Sequence, residues 1–427
     1  MYLKHITIEN FKGHTHCELN FKQGFNLLIG DNGMGKTSVL EAISVALGGF
    51  IAGIDDVASK HFTKDEIRVS ATAMGDGSFH RQYETPVLVT CQAEFCGKDY
   101  AWTRRKSSVK SSRSTVEISR EKTVGNIKKL AGRLSHDPEA VLPILSYQSA
   151  ARTWTQKREA SENVFNTDFN RTVGYINCLE DASDSKSLLN WCAKMEQVEW
   201  QKEKKIREYE SVKNTLSRFM SIMNEGEIAR IQFDKQNSEL SYVTGDNSLP
   251  IRFLSAGYQS VIWMVLDIAY RMAVLNPNLR EHASECPGVV LIDELDMHLH
   301  PKWQWNMIKA LQTVFPNVQF IAATHSPILI ASCKNGQLIH IEKDNIFYDA
   351  SGYGMEINDV LRSTQGSDDM VQPVKKQMEI IYDLIDNGMF EQAKTEIKNL
   401  EISLGTNHPE LNKAKTALAF ETAITEN

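Results

Sequence analysis

Apolar and polar positions change period several times along the chain, and each change marks an element. Tyr2 to Asn10 alternates through Leu3, Ile6 and Ile8, which predicts a half-buried strand ending in the turn Phe11-Lys12-Gly13-His14. Cys17–Phe21 and Phe25–Ile29 read as the next strands, and Val39–Leu47 carries helical spacing up to the pair Gly48-Gly49, where the helix is predicted to stop. From about 65 to 119 the pattern is extended and punctuated by turns. Ile67–Ala71, Val87–Phe95 and Tyr100–Thr103 are β-rich, with Gly97-Lys98 as a hairpin turn, and together they predict an antiparallel sheet.

Val141–Gln148 reads as a buried strand that Pro143 confines to an edge or a bulge. The stretch 149–250 is polar and reads as a helical insert lobe. Its longest periodic run is Ser187–Asn224, too short for coiled-coil arms and without a sustained heptad. Gly288–Ile292 and Gln319–Ala323 are strands joined by a helix over Pro301–Thr313, a parallel βαβ unit. Leu338–Ile341 and Ile346–Tyr348 complete that core, and beyond Gly354 three helical stretches (Val374–Ile385, Phe390–Leu400, Leu411–Phe420) predict a small bundle. The expected organisation is α/β: an N-terminal lobe over 1–148, the helical insert over 149–250, a second core lobe over 251–350 and a helical tail over 351–427.

Composition changes this picture little. With 427 residues, 42% hydrophobic and 24% charged, the chain has ample material for a core. No apolar run reaches the length of a membrane span and no signal-peptide pattern opens the chain, so a cytoplasmic protein is expected. Seven cysteines without paired spacing suggest reduced thiols, and Cys91 and Cys96 have no second pair to complete a zinc site. The net charge of −7 is uneven: Glu356 to Asn427 holds 13 acidic and 7 basic residues, leaving the rest close to neutral. Between 104 and 129 lies a basic run that includes Arg104, Arg105, Lys106, Lys110, Arg113, Arg120, Lys122, Lys128 and Lys129. It reads either as a surface for a nucleic-acid backbone or as a solvated loop joining two strands.

The chemistry starts at Gly30-Asp31-Asn32-Gly33-Met34-Gly35-Lys36-Thr37-Ser38, which fits G-x-x-x-x-G-K-[ST] between a predicted strand and a predicted helix. Gly33 and Gly35 let successive N–H groups turn into one concavity. Lys36 supplies charge for the outer phosphates, and the Thr37 hydroxyl is placed for Mg²⁺. Asn32 and Ser38 complete the expected ATP-binding set. Val289-Val290-Leu291-Ile292-Asp293-Glu294 puts two carboxylates at the tip of a buried strand, Asp293 for Mg²⁺ and Glu294 for the attacking water. His325 follows the next strand.

Leu254-Ser255-Ala256-Gly257-Tyr258-Gln259 resembles the signature LSxGxQ of ABC-type ATPases. With the phosphate loop, Ile6–His14, Asp293–Pro301 and Ala323-Thr324-His325-Ser326-Pro327, the chain is similar to the RecF/SMC/OLD branch of that class. Within the branch it resembles the PtuA-type ATPase subunits of Septu and retron antiphage systems. The resemblance implies an ABC-ATPase head and a head-to-tail dimer with ATP and Mg²⁺ between copies. Ser255, Gly257 and Gln259 would then face the nucleotide of the partner copy. His325 would be the switch histidine, Gln148 the glutamine-loop ligand near Mg²⁺, and His298 with His300 part of a dimer-contact loop. It also implies a separate HNH-type nuclease as partner, docked on the acidic tail, and nucleic acid as a further one. The chain departs from OLD nucleases in lacking a Toprim-like carboxylate set after His325, so it is expected to cleave ATP and not nucleic acid. A RecF-like repair clamp and a nucleotide-sensing scaffold with little turnover are the alternatives.

Overall fold

The computed structural model describes residues 1–73, 79–119, 124–150, 170–181, 185–234, 239–349, 351–364, 366, 368, 370–406 and 408–425. They divide into two compact units, 1–357 and 358–427.

The first unit is built on a six-stranded sheet. Its strands are β3 (Phe25–Ile29), β9 (Ile144–Gln148), β13 (Gly288–Ile292), β14 (Val318–Ala323), β15 (Gln337–Glu342) and β16 (Asn345–Asp349), in the order β16-β15-β3-β14-β13-β9. All pair in parallel except the edge strand β16. β3, β9, β13 and β14 are buried at every position, as expected of parallel strands covered on both faces, and they are mainly apolar, with Asn26, Ser146, Gln148 and Gln319 as buried polar exceptions. β9 begins just after Pro143 and takes the other edge of the sheet, where a residue without an N–H costs least.

A five-stranded antiparallel sheet lies beside this core, ordered β2-β1-β6-β7-β8: β1 (Tyr2–Phe11), β2 (His14–Asn20), β6 (Val87–Phe95), β7 (Lys98–Lys106) and β8 (Thr115–Ile118). The β6–β7 turn is Cys96-Gly97, both at positive φ (50° and 74°), one residue before the expected position. A separate two-stranded antiparallel sheet pairs β4 (Val69–Ala73) with β5 (Phe79–Tyr83). Helix α1 (Lys36–Ile51) touches strands of both larger sheets and is buried along almost its whole length, so its apolar residues wrap all round it. It does not stop at Gly48-Gly49. Those glycines admit close neighbours instead: a Cβ on Gly49 would lie 2.4 Å from Trp102 Nε1, whose N–H donates to the Ala46 carbonyl at 2.8 Å.

The stretch expected to be a helical lobe is only partly so. Residues 151–169 and 182–184 lie outside the described set. The periodic run to Asn224 splits into α3 (Ser185–Lys202) and α4 (Arg207–Met223). Beyond it, β10 (Ala229–Asp234), β11 (Glu239–Thr244) and β12 (Asn247–Pro250) form a three-stranded antiparallel sheet, which corrects the helical expectation over 229–250. Among the described residues the other α-helices of this unit are α2 (Ile127–His136), α5 (Ala256–Leu275), α6 (Pro301–Val314) and α7 (Pro327–Ser332).

After α8 (Ile357–Thr364), the second unit contains α9 (Gln372–Asp386), α10 (Phe390–Leu404) and α11 (Pro409–Thr425). Met378, Ile381, Ile385, Ile397, Leu400 and Leu411 close a core of its own, matching the predicted bundle.

Candidate nucleotide site

Strand, loop and helix deliver the phosphate loop as the pattern requires. β3 ends at Ile29, the loop turns through Gly30, Gly33 and Gly35 with φ of 134°, 79° and 102°, and α1 begins at Lys36. Two of the glycines are also required by space. A Cβ on Gly30 would sit 2.4 Å from the Ile341 carbonyl oxygen, and one on Gly35 would sit 2.2 Å from Nε2 of His14. Gly33 has nothing near it and serves conformation alone.

Lys36 is 7% exposed, and its Nζ donates to the carbonyls of Gly30 at 2.7 Å and Asp31 at 2.9 Å. The ammonium is thus held over the loop by the loop's own backbone, and burial lowers its pKa from the ordinary lysine value. Parallel pairing of β13 with β9 and β14 carries Asp293 and Glu294 to the same sheet edge. The Thr37 hydroxyl donates to Oδ1 of Asp293 at 3.2 Å. A hydroxyl and a buried carboxylate on hard oxygens form a donor set suited to Mg²⁺. Glu294 stands at φ 45°, its N–H 3.2 Å from Asp293 Oδ1.

One cleft of about 300 Å³ is lined by Asn32, Gly33, Gly35, Lys36, Thr37, Ser38, Asp293, Glu294 and His325. Of the residues expected to contact the chain's own nucleotide, these nine converge. The His325 imidazole is drawn below its ordinary pKa, first by burial and then by the Lys36 charge. Its loop is set by a residue the sequence reading missed. Asp296 accepts from the Thr324 hydroxyl, and from the His325 N–H at 3.3 Å. The third acid of Asp293-Glu294-Leu295-Asp296 was the available signal. Ser326 then caps α7 through Ile328 N–H and Leu329 N–H.

Gln148 reaches the same edge, and its carbonyl accepts from the Asp293 N–H at 2.8 Å, but its side chain is not in the cleft lining. The amide nitrogen donates instead to Asp267 Oδ2 at 2.8 Å and to Ser146 Oγ at 2.9 Å. Ser255, Gly257 and Gln259 are likewise absent from the lining. Ser255 precedes α5, is exposed and makes no side-chain cap bond. Gly257 is fixed by space, because a Cβ there would lie 2.4 Å from the His298 carbonyl oxygen. Gln259 donates to the carbonyls of Leu254 and Arg252 at 2.8 and 3.2 Å. His300 caps α6 by accepting from the Lys302 N–H, and among the described residues no His/Cys/Asp/Glu group could hold a metal by itself.

The basic run is corrected in part. β7 alternates, so Arg104 and Lys106 share the inward face with Tyr100 and Trp102. Arg104 is fully buried, its guanidinium donating to the Ser114 hydroxyl at 2.7 Å and to the Lys60 carbonyl, and burial lowers its pKa to about 10. Lys106 donates to the carbonyls of Phe62 and Ser111 at 3.2 and 2.6 Å. Neither can meet a phosphate backbone. Arg105 is half-buried, and Lys110 and Arg113 are exposed; Arg120 and Lys122 lie outside the described residues. Charge reversal at Arg105, Lys110 and Arg113 is expected to weaken any nucleic-acid binding and to reduce its log–log salt slope by ~0.9 per lost contact. Arg104→Glu should lower the melting temperature instead. Filter binding across a salt series separates the two, and an unchanged slope would leave the run a solvated loop.

Fold and cleft together define a phosphate-loop ATPase. More particularly, a family model of the AAA domain matches residues 5–247, over half the chain, and the chain belongs to that family; a second AAA-domain model matches residues 205–331. The "Retron Vc95 probable ATPase" of Vibrio cholerae serotype O1 biovar El Tor is 23% identical over 393 residues, 79% of this chain and 72% of the relative. "Septu protein PtuA" of Bacillus mycoides (strain KBAB4) is 24% identical over 423 residues, 94% of this chain and 50% of the relative, so the chain spans about half of that relative's length. Among solved structures, the SmcHead bound to the C-winged helix domain of ScpA is 15% identical with a TM-score of 0.49, covering 82% of this chain and 98% of that one. No helix among the described residues is long and apolar enough to cross a membrane.

Proposed function

We propose that the chain is the ATP-binding and hydrolysing subunit of an antiphage defence complex, sandwiching ATP between two copies and regulating a separate HNH-type nuclease. The antiphage part rests on the similarity to Septu and retron relatives. Nuclease that co-purifies with the chain, and cuts differently with and without ATP, is the readout for the partner.

The observation that carries the ATPase reading is the single cleft in which Lys36, Thr37, Asp293, Glu294 and His325 meet. Loop amides and Lys36 hold the outer phosphates. Glu294 takes the proton of the attacking water, and His325 bonds the γ-phosphate from the side of the next strand. Thr37 and Asp293 would hold Mg²⁺, which when bound neutralises charge developing on the phosphates. The position of Ser255 supports the dimer. Ser255 lies outside the lining with a hydroxyl not spent on capping its helix, so the α5 N-terminus is free to meet a γ-phosphate from another copy.

Complementation tests this arrangement. Lys36→Ala and Ser255→Arg should each fall below about a tenth of wild-type turnover, since each strips a group whose loss costs two or more orders of magnitude in comparable sites. Mixing the two proteins should restore activity, because one of the two shared sites in a mixed dimer is then intact. A Ser255→Arg protein with normal turnover, or a mixture no better than its components, would refute the shared site.

A further inference from the structure

Behind the phosphate loop lies a contact that joins it to two segments far from it in the chain. His14 opens β2, is 1% exposed and points between two other segments. Its Nε2 lies 3.3 Å from the Gly35 carbonyl oxygen and its Nδ1 3.3 Å from Oδ1 of Asp344, in the turn between β15 and β16. A carbonyl and a carboxylate only accept, so making both bonds at once takes the imidazolium, with an N–H on each ring nitrogen and the Asp344 carboxylate as its counter-ion. The imidazole occupies the space that the missing side chain of Gly35 leaves open. Gly35 is the N-cap of α1, and the same carbonyl also receives the Val39 N–H at 2.9 Å, the first helical bond. Asp344 is tied down in turn by the Thr15 N–H at 3.1 Å. The β15–β16 hairpin meets the loop at its other end as well, where Ile341 leaves room only for glycine at position 30.

We propose that His14 and Asp344 are positioning residues for the phosphate loop. Asp344 orients the imidazole, the imidazole holds the Gly35 carbonyl, and the peptide that leads into Lys36 and Thr37 is thereby fixed in the conformation that receives phosphate. The role rests on the nucleotide reading of the cleft. The hairpin is therefore part of the nucleotide site, although no residue of it lines the cleft.

Asp344 is part-exposed in a turn, so its variants keep the fold testable even where changes at buried His14 do not. Asp344→Ala and His14→Leu are each expected to raise the Kd for a fluorescent ATP analogue, and the KM for ATP, by about five- to tenfold, the effect of one or two lost hydrogen bonds. Turnover at saturating ATP should stay within about twofold, since only binding geometry is disturbed. The double variant should bind no more weakly than either single one, because both remove the same constraint. His14→Gln, which can still donate to the Gly35 carbonyl, and Asp344→Asn, which can still accept from the ring, should each recover a good part of the loss. Asp344→Ala binding within twofold of wild type, or single effects that multiply in the double variant, would overturn the proposal. Wild-type protein that fails to bind the analogue would sink the nucleotide reading itself, a distinguishable result.

Discussion

Glutamine in place of Glu294 is expected to cut ATP turnover by about 10²–10⁴-fold, the usual contribution of a positioned general base, while ATP stays bound. Glu294 is a non-glycine residue at φ 45°, a conformation that costs on the order of 1–3 kcal/mol and persists only where neighbours impose it. Here they do: the Leu295 N–H donates to the Ala323 carbonyl at 2.9 Å and the Met297 N–H to the Glu294 carbonyl at 3.0 Å, so strand β14 and the turn together set the backbone. The side chain that results lines the cleft beside Lys36 and His325. Glutamine keeps its shape and cannot accept the proton. Single-turnover hydrolysis and nucleotide retained through gel filtration measure the two halves of the prediction. Turnover within about threefold of wild type would remove Glu294 from the chemistry.

Lys36→Ala is the second large effect, acting on binding. The ammonium is the one lysine charge in the cleft lining, held among loop carbonyls, and truncating a buried charge-bearing partner costs ~2–4 kcal/mol. That corresponds to a roughly 30- to 1000-fold weaker Kd for ATP. The two carbonyls it satisfies are open to water once the side chain is gone, so the melting temperature should move by only a few degrees. Equilibrium binding of a fluorescent ATP analogue checks the first point and thermal unfolding the second. ATP affinity unchanged in Lys36→Ala would place the nucleotide elsewhere.

Much of this site was legible because local chemistry forces it. A phosphate loop needs glycine wherever φ is positive or a neighbour presses close, and both reasons apply at Gly30, against the Ile341 backbone, and at Gly35, against the His14 ring. Strands buried on both faces are mainly apolar, which makes β3, β9, β13 and β14 legible despite a buried Asn26, Ser146, Gln148 and Gln319, and Asp293-Glu294 stands out at the tip of the one wholly apolar run, β13. Less legible were features whose period is weak or whose meaning is a distance. Arg104 and Lys106 looked like part of a basic face, yet the alternation through Tyr100 and Trp102 already pointed them inward. The three strands over 229–250 carry many polar residues on short segments, too few in a row to show a period of two. Gly48-Gly49 read as a helix end, while their purpose is to let Trp102 and the Lys60 backbone approach α1.

By itself, then, the order of residues determined the α/β class, the strand–loop–helix that makes the phosphate loop and the identity of nearly every side chain in the cleft, because each depends on neighbours within a few positions. Tertiary structure decided what depends on segments far apart in the chain. It brought Asp344 to His14 and His14 to Gly35, turned Gln148 toward Asp267, anchored the His325 loop on Asp296 and left Ser255 outside the cleft. Contacts of that kind are set by how sheets and helices pack, and no periodicity along the chain records them.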